Sequence, residues 1–413
     1  MKFSVRKNFI EGTHEDRRLY LTRAAQRIVI LLAVAAAVLG IYYFRNDISA
    51  WFREIQARQQ ADEKPSSSTY SRIAFEPDSE NVYALFGESL AVINKGNFKL
   101  YGTDGTEQLA LQLSYSRPAL CVSDEQIIAY DRGGTNLTVA GQTALIGSLE
   151  IPGKIISVEA NSSGYFTVTH EDARYRAVVS VYDNRQNLVY QWQTSEYYVM
   201  RASLAPDGKT MTATAYTQDD GNFISRMFYF DLNRSDSYRA SADITGTIVT
   251  NTYYIANDTL CLVGDDRAVV TDIDGNVLYE YAYGNDMIKT GAAAESYVVL
   301  TMLDRTSGLG AKVVLFAPDA ESALVANTND DIRKMSACGD YVAVLYTQGV
   351  QLFSGSLEPL SAEVDVSQVR DILVSEEGRV LLIYASDAGY VDLLSAFANK
   401  PVSGADGGET EGK

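Results

Sequence analysis

Two patterns of apolar residues divide the chain. The first is an uninterrupted run at residues 28–44 (IVILLAVAAAVLGIYYF), which contains no charge and is bracketed by Arg27 and Arg45. A helix of this length spans roughly 25 Å, the short end of what crosses a bilayer. The run therefore predicts one transmembrane α-helix. The alternative is a helix buried in a protein core, but nothing else in the chain resembles its helical partner.

The residues that flank this run predict its orientation. Seven Lys or Arg residues lie in residues 1–27, and four lie in residues 45–64. Because the more positive flank stays inside, residues 1–27 are predicted to be a cytoplasmic basic segment. The run ends in Tyr-Tyr-Phe-Arg rather than in the small residues of a cleavage site, which favours an uncleaved signal anchor. We therefore expect a single-pass protein of the bacterial cell membrane with an extracytoplasmic C-terminal domain.

Residues 45–70 are predicted to form a juxtamembrane amphipathic helix and a tether. Ile48, Trp51, Phe52 and Ile55 recur at helical spacing, and Pro65 with the serines after it ends the helix. This helix could lie on lipid headgroups or pair with a second copy; the alternative is a simple overhang of the membrane helix. The side chains predicted to contact the bilayer are Ile28, Leu31, Leu32, Val38, Ile41, Tyr42, Tyr43, Phe44, Trp51 and Phe52.

The second pattern begins at Ser71, where short runs alternate apolar and polar residues between turn residues. This alternation predicts an all-β region. A hairpin turn recurs near Asp104, Ala140, Asp183, Asp231, Asp272, Ala317 and Ser354. The spacings fit a four-stranded β-propeller blade of about 40–45 residues. The sequence thus predicts a β-propeller over residues 71–399 with eight four-stranded blades, or alternatively seven.

The two ends of this region are predicted to meet. The predicted units are 82–116, 117–153, 154–198, 199–245, 246–287, 288–331, 332–368 and 369–397. The last unit has room for only three strands, and the strand at residues 71–77 stands before the first unit. Pairing the two would complete the last blade and remove an open sheet edge. The polar residues 400–413 are predicted to be a disordered tail.

Charge and candidate chemistry narrow the function. Residues 1–64 hold 11 of the 35 Lys/Arg and 7 of the 53 Asp/Glu residues, so the remaining 349 residues carry a net charge of −22. Such an acidic region would be repelled by phosphates, which argues against a nucleic-acid partner. Cys121, Cys261 and Cys338 lack metal-ligand spacing and are interpreted as buried small hydrophobic residues.

Catalytic and cofactor motifs are absent from the sequence. His170 has no second histidine in the predicted propeller, and Asp272–Asn276 resembles a calcium loop without its glycine spacing. No nucleophile elbow, zinc-protease, phosphate-loop or dinucleotide motif occurs. We therefore expect a protein that is not an enzyme and that has no cofactor.

The turns resemble those of known propellers. TDGTE, DIDGNVLYE and APDGK before an alternating strand are similar to turns of WD40-like and quinoprotein-like propellers, although the Gly-His and Trp-Asp dipeptides of WD40 repeats are absent. The basic N-terminus, single anchor and acidic Tyr-rich propeller resemble the DUF5711-like proteins, an uncharacterised family of membrane-anchored propeller proteins from Firmicutes. The resemblance implies a fold and a topology but no activity.

These observations predict a membrane-anchored extracytoplasmic binding or scaffolding module. Its partners would be the lipid bilayer, through residues 28–44, and a protein or cell-envelope ligand on one propeller face. The alternative is an extracytoplasmic propeller enzyme that acts on cell-wall glycans or peptides through carboxylates in its channel.

Overall fold

The computed structural model describes residues 72–219, 221–234, 237–304, 311–328 and 331–394. The predicted cytoplasmic segment, transmembrane helix, juxtamembrane helix and tail lie outside these residues, as do all ten predicted membrane-anchoring side chains. Within the described ranges, no helix is long and apolar enough to cross a bilayer. The chain divides into two units, residues 1–64 and 65–413, and every described strand belongs to the second.

The described residues form eight antiparallel sheets of four strands each. In seven of them the strands follow one another in sequence order, and the first strand lies nearest the centre of a ring, against the first strand of a neighbouring sheet. This is an eight-bladed β-propeller, which confirms the predicted fold class and blade count. Because a blade packs against a neighbour on each face, second strands such as Ser89–Ile93 and Thr259–Gly264 are buried at every residue, whereas fourth strands such as Glu107–Gln112 alternate in exposure.

The strands of the first four blades alternate with short turns. Blade 1 comprises β2 (Val82–Phe86), β3 (Ser89–Ile93), β4 (Asn97–Tyr101) and β5 (Glu107–Gln112); blade 2 comprises β6 (Pro118–Val122), β7 (Ile127–Asp131), β8 (Asn136–Ala140) and β9 (Leu145–Glu150). Blade 3 comprises β10 (Ile155–Ala160), β11 (Phe166–His170), β12 (Ala177–Tyr182) and β13 (Leu188–Thr194); blade 4 comprises β14 (Tyr198–Leu204), β15 (Thr210–Asp219), β16 (Asn222–Asp231) and β17 (Ala240–Thr245).

The second half of the ring repeats this order. Blade 5 comprises β18 (Val249–Tyr254), β19 (Thr259–Gly264), β20 (Arg267–Asp272) and β21 (Val277–Ala282); blade 6 comprises β22 (Asp286–Ala294), β23 (Tyr297–Asp304), β24 (Ala311–Phe316) and β25 (Leu324–Thr328). Blade 7 comprises β26 (Ile332–Cys338), β27 (Tyr341–Tyr346), β28 (Gly349–Ser354) and β29 (Val364–Asp365); blade 8 comprises β30 (Asp371–Val374), β31 (Val380–Ile383), β32 (Asp387–Val391) and β1 (Arg72–Ala74). Two predicted unit boundaries shift, because β14 already begins at Tyr198 and β22 at Asp286.

Blade 8 closes the ring with strands from both ends of the propeller. β1 pairs antiparallel with β32, so that Arg72 lies opposite Gly389 and Ala74 opposite Asp387. Ile73 is fully buried between these partners and blade 1. This pairing confirms that the strand before the first unit supplies the fourth strand of the last one.

Side chains reinforce the junction between blades 8 and 1. The Tyr390 hydroxyl donates to the main-chain oxygen of Glu88 at 2.7 Å. The Arg379 guanidinium lies 2.8 Å from the Glu88 carboxylate and also stacks over the Tyr390 ring. These contacts join residues about 300 positions apart in the chain, so the junction depends on the closed ring.

All seven predicted hairpin turns connect the third and fourth strands of their blades. Asp272 explains why the signal recurs: its carboxylate accepts from the main-chain N–H groups of Asp274 and Asn276 and from the Asn276 side chain. Asp183 makes the same set of bonds with the two corresponding residues of its own turn. The Asp272 carboxylate is therefore occupied by the turn itself, and Gly275 supplies the positive φ (89°) that the turn needs.

The hydrophobic core consists of eight clusters, one at each interface between neighbouring blades. Between blades 3 and 4, for example, Trp192 packs against Phe228 and Phe230 with ring centroids about 5 Å apart. Cys261 is buried in the cluster between blades 5 and 6, as expected. Cys121 and Cys338 are only half-buried on innermost strands, and none of the three forms a disulfide.

Replacing Ile73 by Ala is expected to lower the free energy of unfolding by about 3 kcal/mol, because it removes a fully buried side chain at the closure. Urea denaturation of the full-length chain measures this loss. The matched control is Arg72→Ala in the same strand, whose side chain is 68% exposed and pairs only with Asp387. Its loss should stay below about 1 kcal/mol. Equal losses in the two variants would contradict the role of β1 in closing the ring.

Candidate functional site

The propeller has two faces that differ in their connections. One, here called the hairpin face, carries the turns between first and second strands and between third and fourth strands. The other, the linker face, carries the turns between second and third strands and the connections from blade to blade. The turns between first and second strands of blades 3, 4 and 5 contact one another, which places them on the same face. Asn161 donates to the main-chain oxygen of Ala205, and the main-chain N–H of Asp207 donates to the Asn257 side chain.

Charge is distributed unequally between these faces. The turns between first and second strands carry nine acidic residues: Glu88, Asp124, Glu125, Asp207, Asp258, Glu295, Asp340, Glu376 and Glu377. They carry two basic residues, Lys209 and Arg379. The described connections of the linker face hold nine acidic and seven basic residues, a near balance. The hairpin face therefore repels anions, whereas the linker face has no strong bias of charge.

Five exposed apolar side chains lie on the linker face of blades 4 to 6 or at the strand ends next to it. Phe223 is 65% exposed and Tyr198 is 58% exposed. Phe223 lies near the tip of the hairpin formed by β15 and β16, whose ten-residue strands are the longest described. We call the whole set the linker-face patch: Tyr198, Met200, Phe223, Ile248 and Met287.

Most other exposed apolar side chains follow the repeat and form no single surface. They lie on the outermost strands β9, β13, β21, β25 and β29, which are spread around the rim of the ring. Leu145 with Ile146, and Leu188 with Val189, are examples from blades 2 and 3. The linker-face patch differs because it combines innermost strands, a blade-to-blade connection and a projecting hairpin from consecutive blades.

A cleft opens beside this patch, between blades 5 and 6. Around the ring, innermost strands pack closely against their neighbours, but β18 and β22 do not approach each other in this way. The gap between them is a cavity of 390 Å³. Its lining comprises Thr250, Asn251, Tyr253, Val263, Gly264, Asp265, Met287, Ile288, Gly291, Ala292, Val298 and Leu300. A volume above about 300 Å³ is within the range of small-ligand sites.

Gly291 lies in the lining of the cleft, on the innermost strand of blade 6. It pairs with Leu300, and the equivalent residues after the bulge of the other innermost strands include Val158, Thr252 and Met335. A Cβ atom at Gly291 would meet Leu300 Cδ2 at 2.7 Å and the Val299 main-chain oxygen at 3.1 Å. Leu300 and the main chain of Val299 therefore occupy the place that a side chain at residue 291 would need.

The cleft combines an apolar floor with polar groups at its edges. Val263, Val298 and Leu300 belong to the buried cluster between blades 5 and 6. At the rim, the Asp265 carboxylate accepts from the main-chain N–H of Ile248 at 2.7 Å and from the Thr247 hydroxyl at 3.0 Å. These bonds, the one from Ile248 foremost, lower the pKa of Asp265, so the carboxylate is ionised at neutral pH.

An ion pair lies on innermost strands on the blade 4 side of the cleft. Arg201 Nη1 is 3.0 Å from Glu159 Oε1, and the two side chains are 26% and 27% exposed. Burial raises the pKa of Glu159 and outweighs the opposite effect of Arg201. Burial likewise raises the pKa of Tyr253, which borders the cleft and interacts electrostatically with both charges. Tyr253 is therefore neutral at physiological pH.

Three carboxylates on or next to the innermost strands are paired with cations. Besides Glu159 with Arg201, Asp331 pairs with Lys289, and Asp371 lies 3.4 Å from Lys334 Nζ. Within the described part of the chain, no group of three or more His, Cys, Asp or Glu side chains could hold a metal ion. His170 is buried at the end of β11, and its Nδ1 lies 2.9 Å from the main-chain oxygen of Glu171.

Comparison with known proteins places the chain in a family. Residues 60–393 match the family of unknown function DUF5711. The chain belongs to this family. No curated protein matches this DUF5711 member in sequence. The match covers the whole described ring but brings no activity with it.

Solved structures bear out the fold. The DUF5711 chain is similar to the crystal structure of the C-terminal WD40 domain of Sif2, with a TM-score of 0.52 and 12% sequence identity over 79% of this chain and 99% of that one. At this identity the likeness shows the propeller fold alone. With 860 matching chains of solved structures, the fold is too widely shared to identify a ligand.

Replacing Arg201 by Gln tests the ion pair through its pH dependence. The variant is expected to lose about 2 kcal/mol of stability at pH 8, because Glu159 is left half-buried without its cation. A carboxyl with a raised folded-state pKa stabilises the fold below its unfolded pKa, and this stability disappears as pH rises through the folded value. The deficit should therefore shrink as pH falls through the raised pKa of Glu159 towards its ordinary value of 4.5.

The control for this experiment is the double variant Glu159→Gln with Arg201→Gln. Because it has no carboxyl at residue 159, the pH-dependent part of the deficit should vanish. Denaturation midpoints between pH 4.5 and pH 8 measure both variants. A deficit in Arg201→Gln that is independent of pH would contradict the pairing.

Proposed function

We propose that this protein is a membrane-anchored extracytoplasmic binding module that holds a protein or cell-envelope ligand on its linker face. The observation that carries the proposal is the linker-face patch beside the 390 Å³ cleft. Large apolar side chains exposed on one face of a propeller suit contact with a partner. Tyr and Met, which contribute three of the five patch residues, are also enriched in interfaces.

The choice of the linker face follows from charge and shape. The acidic turns of the hairpin face would repel anionic partners, whereas the linker face has nearly balanced charge and would not. The long β15–β16 hairpin presents Phe223 away from the blade core. Arg176 lies over the Tyr198 ring, 4.7 Å from its centroid, and favours one orientation of this exposed aromatic side chain.

The ion-paired carboxylates on and next to the innermost strands fit a binding role better than a catalytic one. A glycosidase needs two carboxylates with complementary protonation, and here Glu159, Asp331 and Asp371 each face a Lys or Arg. Glu159 has the raised pKa that a general acid requires, but its close partner is Arg201. The pairing therefore supports a scaffold role for these residues.

Site-directed photocrosslinking in cells tests the binding face. A photoreactive phenylalanine analogue at Phe223 or Ile248 is expected to capture a common partner, because both residues belong to the patch. The matched controls are Val189, which is 49% exposed on the outer rim, and Glu125 on the hairpin face. Mass spectrometry identifies the captured species. A partner captured equally at the control positions, or none at Phe223 and Ile248, would contradict the proposal.

The anchor at residues 28–44 and its orientation form the second part of the proposal. They rest on the uncharged apolar run and on the excess of Lys and Arg before it. In a variant without the three native cysteines, a cysteine at exposed Thr143 is expected to react with a membrane-impermeant maleimide in intact cells. A cysteine at Ser4 should react only after lysis. The reverse pattern would show that the propeller lies in the cytoplasm.

A further inference from the structure

We propose that the cleft between blades 5 and 6 binds a basic, apolar polypeptide segment, with an aliphatic side chain on the cleft floor and a Lys or Arg side chain at Asp265. This inference rests on the proposed function, because it identifies the chemistry of a ligand on the same face. Its first support is the lining itself: the floor of the cleft is apolar and consists of Val263, Val298 and Leu300, which belong to the buried cluster between blades 5 and 6.

The size of the cleft favours side chains over a whole domain. A volume of 390 Å³ holds one or two aliphatic side chains with adjoining backbone, and it is too small for a packed helix, which is about 10 Å across. Met287 is 45% exposed at the mouth and Ile248 is 39% exposed nearby. Both can pack along an extended segment, and the flexible Met side chain adapts to different residues.

The charge at the rim supplies the second support. Asp265 and Asp266 form the turn between β19 and β20, and among the described residues neither makes an ion pair. Asp265 is ionised, since its accepted hydrogen bonds lower its pKa. A ligand cation at this place would gain a partner that the protein itself does not provide.

The neighbouring cations are already engaged. Arg267 donates to the main-chain oxygen of Thr245 and lies 3.9 Å from Glu280. Lys289 pairs with Asp331, which belongs to the far side of blade 6. The carboxylate of Asp286, on the linker-face end of β22, is bound by Lys312 at 2.6 Å, and that of Glu159 by Arg201. The carboxylates of Asp265 and Asp266, without an ion pair among the described residues, therefore give the rim a preference for a positively charged ligand group.

The polar groups inside the cleft suit a polypeptide backbone. Asn251 offers an amide that donates and accepts, and the Tyr253 hydroxyl is neutral and can donate. Peptide N–H and C=O groups need partners when an apolar side chain is buried beside them. A simple lipid chain would leave these groups without partners, so the lining favours a peptide.

The test measures binding of two blocked model peptides, acetyl-Leu-Lys-Leu-Lys-Leu-amide and the same peptide with Glu in place of Lys, to the full-length protein in detergent. Isothermal titration calorimetry should show at least tenfold tighter binding of the Lys peptide. Asp265→Asn should weaken that binding about tenfold, because it removes the charge but retains an oxygen for the Ile248 N–H. Thr250→Phe, an exposed change at the rim, should weaken both peptides by filling the cleft.

Glu196→Gln is the matched control. It removes one negative charge from an exposed position of the linker face, in the connection between blades 3 and 4, and it should leave both affinities unchanged. Equal binding of the two peptides, no binding of either, or Lys-peptide binding that survives both Asp265→Asn and Thr250→Phe would overturn the inference. If Phe223 still captured a partner in cells after any of these results, the proposed function would stand and the cleft inference alone would fall.

Discussion

The pairing of β1 with β32 is the constraint on which the other interfaces depend. A single blade is hydrophobic on both faces, so it is covered only when it has a neighbour on each side. Without β1, the cluster at the junction of blades 8 and 1 would lose Ile73, and buried residues such as Leu381 and Ile383 would lose a packing partner. Closure by a strand from the start of the domain links the two ends of the ring, and it makes the stability of each blade depend on all the others.

A closed ring can tolerate one imperfect interface. The innermost strands β18 and β22 do not pack against each other as β22 and β26 do, yet blades 5 and 6 still share a full core cluster. The same cluster contains Tyr279, whose hydroxyl donates to the main-chain oxygen of Ala317 across the interface at 2.8 Å. The cleft is therefore a local feature near the channel, supported by ordinary packing further out, and it does not weaken the ring as a whole.

The parts of the fold that could be predicted from sequence are those encoded locally. Asp183 and Asp272 direct their own turns through bonds to residues two and four positions later, so each turn is visible in a five-residue window. Regular spacing of such turns then gives the blade count. The cleft could not be found in this way, because its lining comes from two blades, from residues 250–265 and 287–300. The Glu159–Arg201 pair is equally non-local, because its two residues lie in different blades.

The two faces of the ring differ in charge and in exposed apolar residues as well as in their connections. Equivalent blades would present equivalent edges, yet the acidic turns lie on one face while Tyr198, Phe223 and Met287 emerge on the other. The fold does not require these exposed residues, since the strands that carry them already bury their other residues in the interfaces between blades. An apolar side chain that contributes little to the core and is exposed to water is best explained by a contact with another molecule. The same reasoning applies to Asp265, whose charge is fixed by the turn while the space beside it is left open.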